Sequence, residues 1–108
     1  MSQIDLLQEI LTTYRKHGWV LRRVLLTKEL EKTFSERSAL ADATVQISDI
    51  NAVWFSRPSH DKREAWELRF LSEAPYALFE TFEGDESEEQ REEMRQEMEA
   101  RMREYASR

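Results

Sequence analysis

The sequence predicts an α+β fold: an N-terminal helix, an antiparallel β-sheet of four to five strands, and a long C-terminal helix. Three observations carry that expectation. Apolar residues recur at helical spacing over 3–17, residues 51–82 read as a three-strand meander rich in aromatics, and residues 85–107 form a charged run without Gly or Pro. A chain of 108 residues fits a single domain over 1–108. A chain of this size buries roughly two thirds of its unfolded surface, so one core needs no staple.

The first helix is marked at both ends. Ser2 followed by Asp5 fits a capping box, and Ile4, Leu7, Leu11 and Tyr14 recur at helical spacing, widened by Leu6 and Ile10. Arg15, Lys16 and His17 suit the negative end of the helix dipole, and Gly18 can adopt the left-handed conformation that stops it.

Residues 19–26 read as a strand. Strict alternation places Trp19, Leu21, Arg23 and Leu25 on one face and Val20, Arg22, Val24 and Leu26 on the other. A helix over 20–34 competes, because Leu21, Val24, Leu25 and Lys28 also fit that period. Thr27 can cap a short helix through Thr33, residues 35–43 continue as helix or loop, and Val45 and Ile47 mark a short extended piece.

In the meander, residues 52–57 end at Pro58, and a polar connection leads to Trp66, Leu68 and Phe70 alternating with Glu67 and Arg69. After the turn at 72–75, Tyr76, Leu78 and Phe82 can lie beside that apolar face, and a one-residue slip sets Arg69 against Leu78. The face with Trp66, Leu68, Phe70, Tyr76 and Leu78 is expected to pack on the first helix. Leu71, Ala77 and Phe79, with Val53 and Phe55, then form a second apolar face that needs another cover.

Gly84 separates the meander from the last helix, which either Asp85 with Glu88 or Ser87 with Gln90 can cap. Its apolar stripe is narrow: Met94, Met98, Met102 and Tyr105. A helix over 86–107 spans roughly 33 Å against about 23 Å for a seven-residue strand, so about two turns are expected to overhang the sheet.

Charge and composition bound the function. The net charge of −6 is concentrated at one end, with −5 over 83–108 and −1 over 1–82. That balance opposes general binding to nucleic acid or anionic membranes, which need clustered cations. Without cysteine there is no disulfide, thiol nucleophile or thiolate metal site. No apolar run reaches membrane-spanning length and no signal peptide opens the chain, so a cytoplasmic protein is expected.

Few residues offer chemistry. Trp54, Arg57 and His60, with Asp61 beside them, form a candidate anionic-ligand pocket at the first hairpin of the meander. Arg22, Arg23, Arg57, Lys62, Arg63 and Arg69 lie among Asp61, Glu64, Glu67 and Glu80, a pattern of cross-strand ion pairs rather than a nucleic-acid surface. Glu67 and Glu80 are candidates to face one another on adjacent strands. His17 and His60 have no partner at metal-ligand spacing, two glycines make no phosphate-cradling loop, and no cofactor is implied. The expectation is a non-enzymatic interaction module, self-associating as a homodimer or meeting another protein. Its interface is expected at Phe79, Leu71, Met98, Met102 and Tyr105; the alternative is the small-molecule pocket.

Overall fold

The computed structural model describes residues 2–33 and 43–108. Its elements are α1 (Gln3–Lys16), β1 (Val20–Leu26), α2 (Lys28–Thr33), β2 (Thr44–Ile47), β3 (Ala52–Pro58), β4 (Glu64–Phe70), β5 (Ala77–Phe82) and α3 (Glu88–Ala106), with a 3-10 turn at His60–Lys62. The expected segment 35–43 lies almost wholly outside the described residues.

The five strands make one sheet in the order β2-β1-β3-β4-β5. The meander β3-β4-β5 is antiparallel throughout, with Trp54 opposite Leu68 and Leu68 opposite Leu78. Arg69 therefore pairs with Ala77 and not with Leu78, as apolar matching requires. One departure from the antiparallel expectation lies at the edge, where β2 runs parallel to β1. Parallel pairing needs the chain to return to the strand's starting end, and α2 begins that return.

Helix α1 is stopped by a Schellman motif. Gly18 at φ +84° allows its N–H to reach Arg15 O at 3.1 Å and the Trp19 N–H to reach Tyr14 O at 3.0 Å. The same turn brings the Tyr14 and Trp19 rings edge to face at 6.0 Å, so the helix stop also aims an indole.

The sheet has a helix on each side. Leu6, Leu7, Ile10 and Leu11 of α1 pack on Val24, Val53, Phe55, Ala65 and Leu71. Met98 and Met102 of α3 pack on Leu25, Trp54, Trp66, Leu68 and Phe82, with Phe70, Tyr76 and Leu78 at the margin. This reverses the expected pairing: the Trp66–Leu68–Phe70 face meets the last helix, and the second face meets the first. Both faces are apolar, and burial has no direction of its own.

Strict alternation also fails in β1. The register against β3 shifts between Leu21 and Arg23, so Leu21 lies opposite Phe55 and Arg23 opposite Trp54. The bulge carries both arginines toward the α3 side, where Arg22 Nε donates to Ser56 Oγ at 2.7 Å and Arg23 Nη2 meets Glu92 at 2.7 Å. Leu21, Val24 and Leu26 all join the α1 core.

Helix α3 starts on the Ser87–Gln90 capping box, with Gln90 N to Ser87 Oγ at 3.1 Å and Ser87 N to Gln90 Oε1 at 3.0 Å. Its far end does not overhang. Met102 is 0% exposed, Tyr105 stacks on Tyr76 at 3.6 Å, and Arg103 reaches Asp49 at 2.7 Å. Loops beyond the strand ends lengthen the floor on which the helix lies.

Candidate functional site

One corner of the α1 face brings together Trp19, Arg57 and the exposed Phe79. Five strands span about 19 Å at their usual spacing, while a helix with side chains covers only about 10–12 Å. Helix α1 lies over β1, β3 and part of β4, and the strip along β5 stays open. Phe79, at the centre of β5, is 58% exposed.

Beside that strip stands Trp19, aimed by the Gly18 stop. Phe79 meets its ring edge to face at 6.4 Å, and the Arg57 guanidinium lies 4.5 Å over it. Arg57 Nη1 also donates to His17 O at 2.7 Å, satisfying a carbonyl at the end of α1. A cleft of about 390 Å³ opens between Arg57, Pro58, Ser59, His60, Ala65 and Phe79.

Further along the groove, Tyr14 stacks on Phe55 at 4.1 Å and its hydroxyl donates to Glu67 Oε2. Burial, and then the bond to Glu67, push the Tyr14 hydroxyl well above the usual phenol range, so it stays a donor. Glu67 lies opposite Phe79 on the α1 face, while Glu80 lies opposite Trp66 on the other. The two carboxylates therefore do not face each other.

The candidate pocket residues separate. Arg57 and His60 line one cleft, but Trp54 points to the α3 side, where it is completely buried and donates from Nε1 to Glu99 at 2.8 Å. Adjacent strand residues face opposite ways, and two of the three candidates lie on or beyond the side away from Trp54. Trp19 takes its place. The signal available was Gly18 immediately before it, which turns a helix end into a fixed position for the next side chain.

The candidate interface residues separate too. Leu71 is buried in the α1 core, Met98 and Met102 are buried beneath α3, and Tyr105 is half-buried against Phe70 and Tyr76. Phe79 alone of the five is exposed. Phe55, the aromatic suited to base stacking, is fully buried under Tyr14.

The cations and acids of α3 serve the fold. Arg95, 2% exposed, lies 4.1 Å over Trp66 and 5.5 Å over Phe82, and bonds Glu88 at 3.0 Å and Glu92 at 2.7 Å. The bond from Arg23 holds the Glu92 carboxyl down at about 2 despite partial burial. Burial opposes the charge on Arg95, but Glu88 and Glu92 outweigh it and raise its pKa. Among the described residues no three His, Cys, Asp or Glu side chains are grouped to hold a metal ion, and no helix is long and apolar enough to cross a membrane.

No family model, no curated protein and no solved structure matches this chain.

Proposed function

We propose that this chain is a non-enzymatic interaction module that self-associates as a homodimer through the open edge of β5. The observation that carries the reading is Phe79, 58% exposed in the middle of an edge strand. Exposed edges of this kind template pairing with another strand unless they are covered or charged.

The backbone polarity of β5 supports it. Tyr76 O accepts from Phe70 N at 2.9 Å, so the even-numbered residues of this strand turn toward β4. Ala77, Phe79 and Thr81 therefore turn their N–H and C=O groups outward. An antiparallel β5 pair centred on Phe79 sets the two phenylalanines opposite each other, about 5.5 Å apart at Cα, and each Ala77 opposite a Thr81. That arrangement is symmetric, as a closed dimer requires. Trp19 and Arg57 beside Phe79 are among the residue types that dominate interface energetics.

Glu80 sets a brake on this edge. Its Oε1 accepts from the Thr81 N–H at 3.0 Å, occupying one outward donor that pairing would need. A six-residue edge and one aromatic make a small interface, so the dimer is expected to be weak and concentration-dependent. A cytoplasmic setting suits a chain with no cysteine.

Sedimentation equilibrium tests the reading. The wild-type chain should pass from monomer to dimer with concentration, Phe79→Lys should remain monomeric, and Glu80→Ala should dimerise more tightly. A wild-type chain still monomeric at about 1 mM, the weak end of specific binding, would sink it.

A further inference from the structure

We propose that the cleft between Arg57 and Phe79 binds a small aromatic anion, a carboxylate or phosphate carried on a planar ring. This goes beyond self-association and does not depend on it.

The starting point is an uncompensated charge. In a chain with 22 acidic residues, Arg23, Arg63, Arg91, Arg95 and Arg103 each reach a carboxylate. Arg57 has no carboxylate partner among the described residues. Three acids of β4 and the exit of β5 are otherwise engaged. Glu67 accepts from Tyr14, Glu64 bonds Trp66 Nε1 and Arg91, and Glu83 pairs with Arg63.

Arg57 is nevertheless held in place. The Trp19 ring beneath it fixes the plane of the guanidinium, and His17 O takes one of its N–H groups at 2.7 Å. The remaining donors of a planar fork match a carboxylate or phosphate, and a guanidinium positioned in advance loses less side-chain freedom when an anion arrives. Ser59 and His60 line the same cleft and add hydroxyl and imidazole groups beside that fork.

The opposite wall selects the rest of the ligand. Phe79 offers its exposed ring, and the small Ala65 side chain lies between it and Arg57 in the cleft lining. A volume of about 390 Å³ holds one ring with its charged group. The polar end at Arg57 and the aromatic wall at Phe79 thus read one anionic group and one planar ring.

Phenyl phosphate, inorganic phosphate and benzoate serve as probes, titrated into the full chain below the self-association range and followed by NMR. Phenyl phosphate and benzoate should shift the Arg57 Nε–Hε, His60 and Phe79 signals saturably. Inorganic phosphate should bind about tenfold more weakly. Arg57→Ala should weaken phenyl phosphate by about tenfold or more, the loss typical of a charge-assisted pair. Arg57→Lys, which keeps the charge but not the fork, should recover only part of that loss. Phe79→Ala should reduce phenyl phosphate to the affinity of inorganic phosphate, with the spectrum otherwise that of the folded chain. Unchanged affinity in Arg57→Ala, or shifts centred elsewhere on the protein, overturns the site. Equal binding of phosphate and phenyl phosphate overturns the aromatic half. Glu80 lies outside the cleft lining, so a change in dimerisation in Glu80→Ala with phenyl phosphate affinity unaltered would separate the two proposals.

Discussion

The indole Nε1 of Trp54 donates a 2.8 Å hydrogen bond to Glu99 Oε2, and both side chains are buried between the sheet and α3. The bond ties the centre of β3 to the middle of the last helix. Removing the acceptor strands a buried N–H. Glu99→Ala should therefore cost about 1–3 kcal/mol in urea unfolding, while Glu99→Gln, which keeps a carbonyl oxygen, should cost less. Equal losses in the two variants would mean that the carboxylate acts through Arg103, 3.6 Å away, and not through Trp54.

The α3 network makes stability depend on acid pH. Glu92 falls from an ordinary 4.5 to about 2 in the fold, held down first by Arg23. Asp49 is lowered by Arg103 and Glu88 by Arg95. Carboxyls depressed on folding contribute stability that is fully present above their unfolded pKa and lost as pH falls through the folded one. The unfolding midpoint should thus hold near neutrality and drop between about pH 4.5 and 2. Glu92→Gln should flatten that drop. The Glu92 side chain is 40% exposed, so solvent screening keeps its share small.

The methionines of α3 separate core from surface. Met98 is 0% exposed, while Met94 is half-buried. Met98→Ala should cost about 2–5 kcal/mol, and Met98→Glu should prevent stable folding because it puts a carboxylate among the apolar side chains of that core. Met94→Glu should be much milder. Circular dichroism melts of the two glutamate variants check the ordering.

The two glycines should fail for different reasons. A Cβ on Gly84 meets Lys62 Cβ and O at 3.0 Å, so Gly84→Ala must push apart the chain entry to α3 and the β3–β4 turn. At Gly18 there is open space, but φ is +84°. Gly18→Ala should cost about 1–2 kcal/mol in backbone strain, and Gly18→Asn less, since Asn tolerates that region. Trp19 fluorescence should respond to the Gly18 variants and not to Gly84→Ala.

Much of the fold was legible because its signals are local. Ser2, Gly18 and Ser87 act through the turn in which they sit, and the Leu68–Leu78 register follows from alternation alone. The candidate site was legible only in part. Arg57, His60 and Phe79 stood out as residue types, but their neighbour Trp19 comes from the other end of the chain, 60 residues before Phe79 in number. The bulge at β1 hid the true destination of Arg22 and Arg23, because alternation assumes an unbroken ladder.

Local chemistry alone settles the class of fold, most helix and strand positions, the Ser2 cap of the first helix and the pairing of the meander, while the choice of Ser87 over Asp85 as the cap of α3 came from the structure. Tertiary packing decides which helix covers which face, the parallel placement of β2, and the burial of Met98, Met102 and Trp54. The physical reason is that both sheet faces are apolar enough to satisfy either helix, so pattern alone leaves two solutions. Specific long-range bonds favour the observed one: Arg23 to Glu92 and Trp54 to Glu99 toward α3, Tyr14 to Glu67 toward α1. With both helices so committed, Phe79 on the β5 edge is left exposed among the described residues, as is Ile47 on β2 at the other edge.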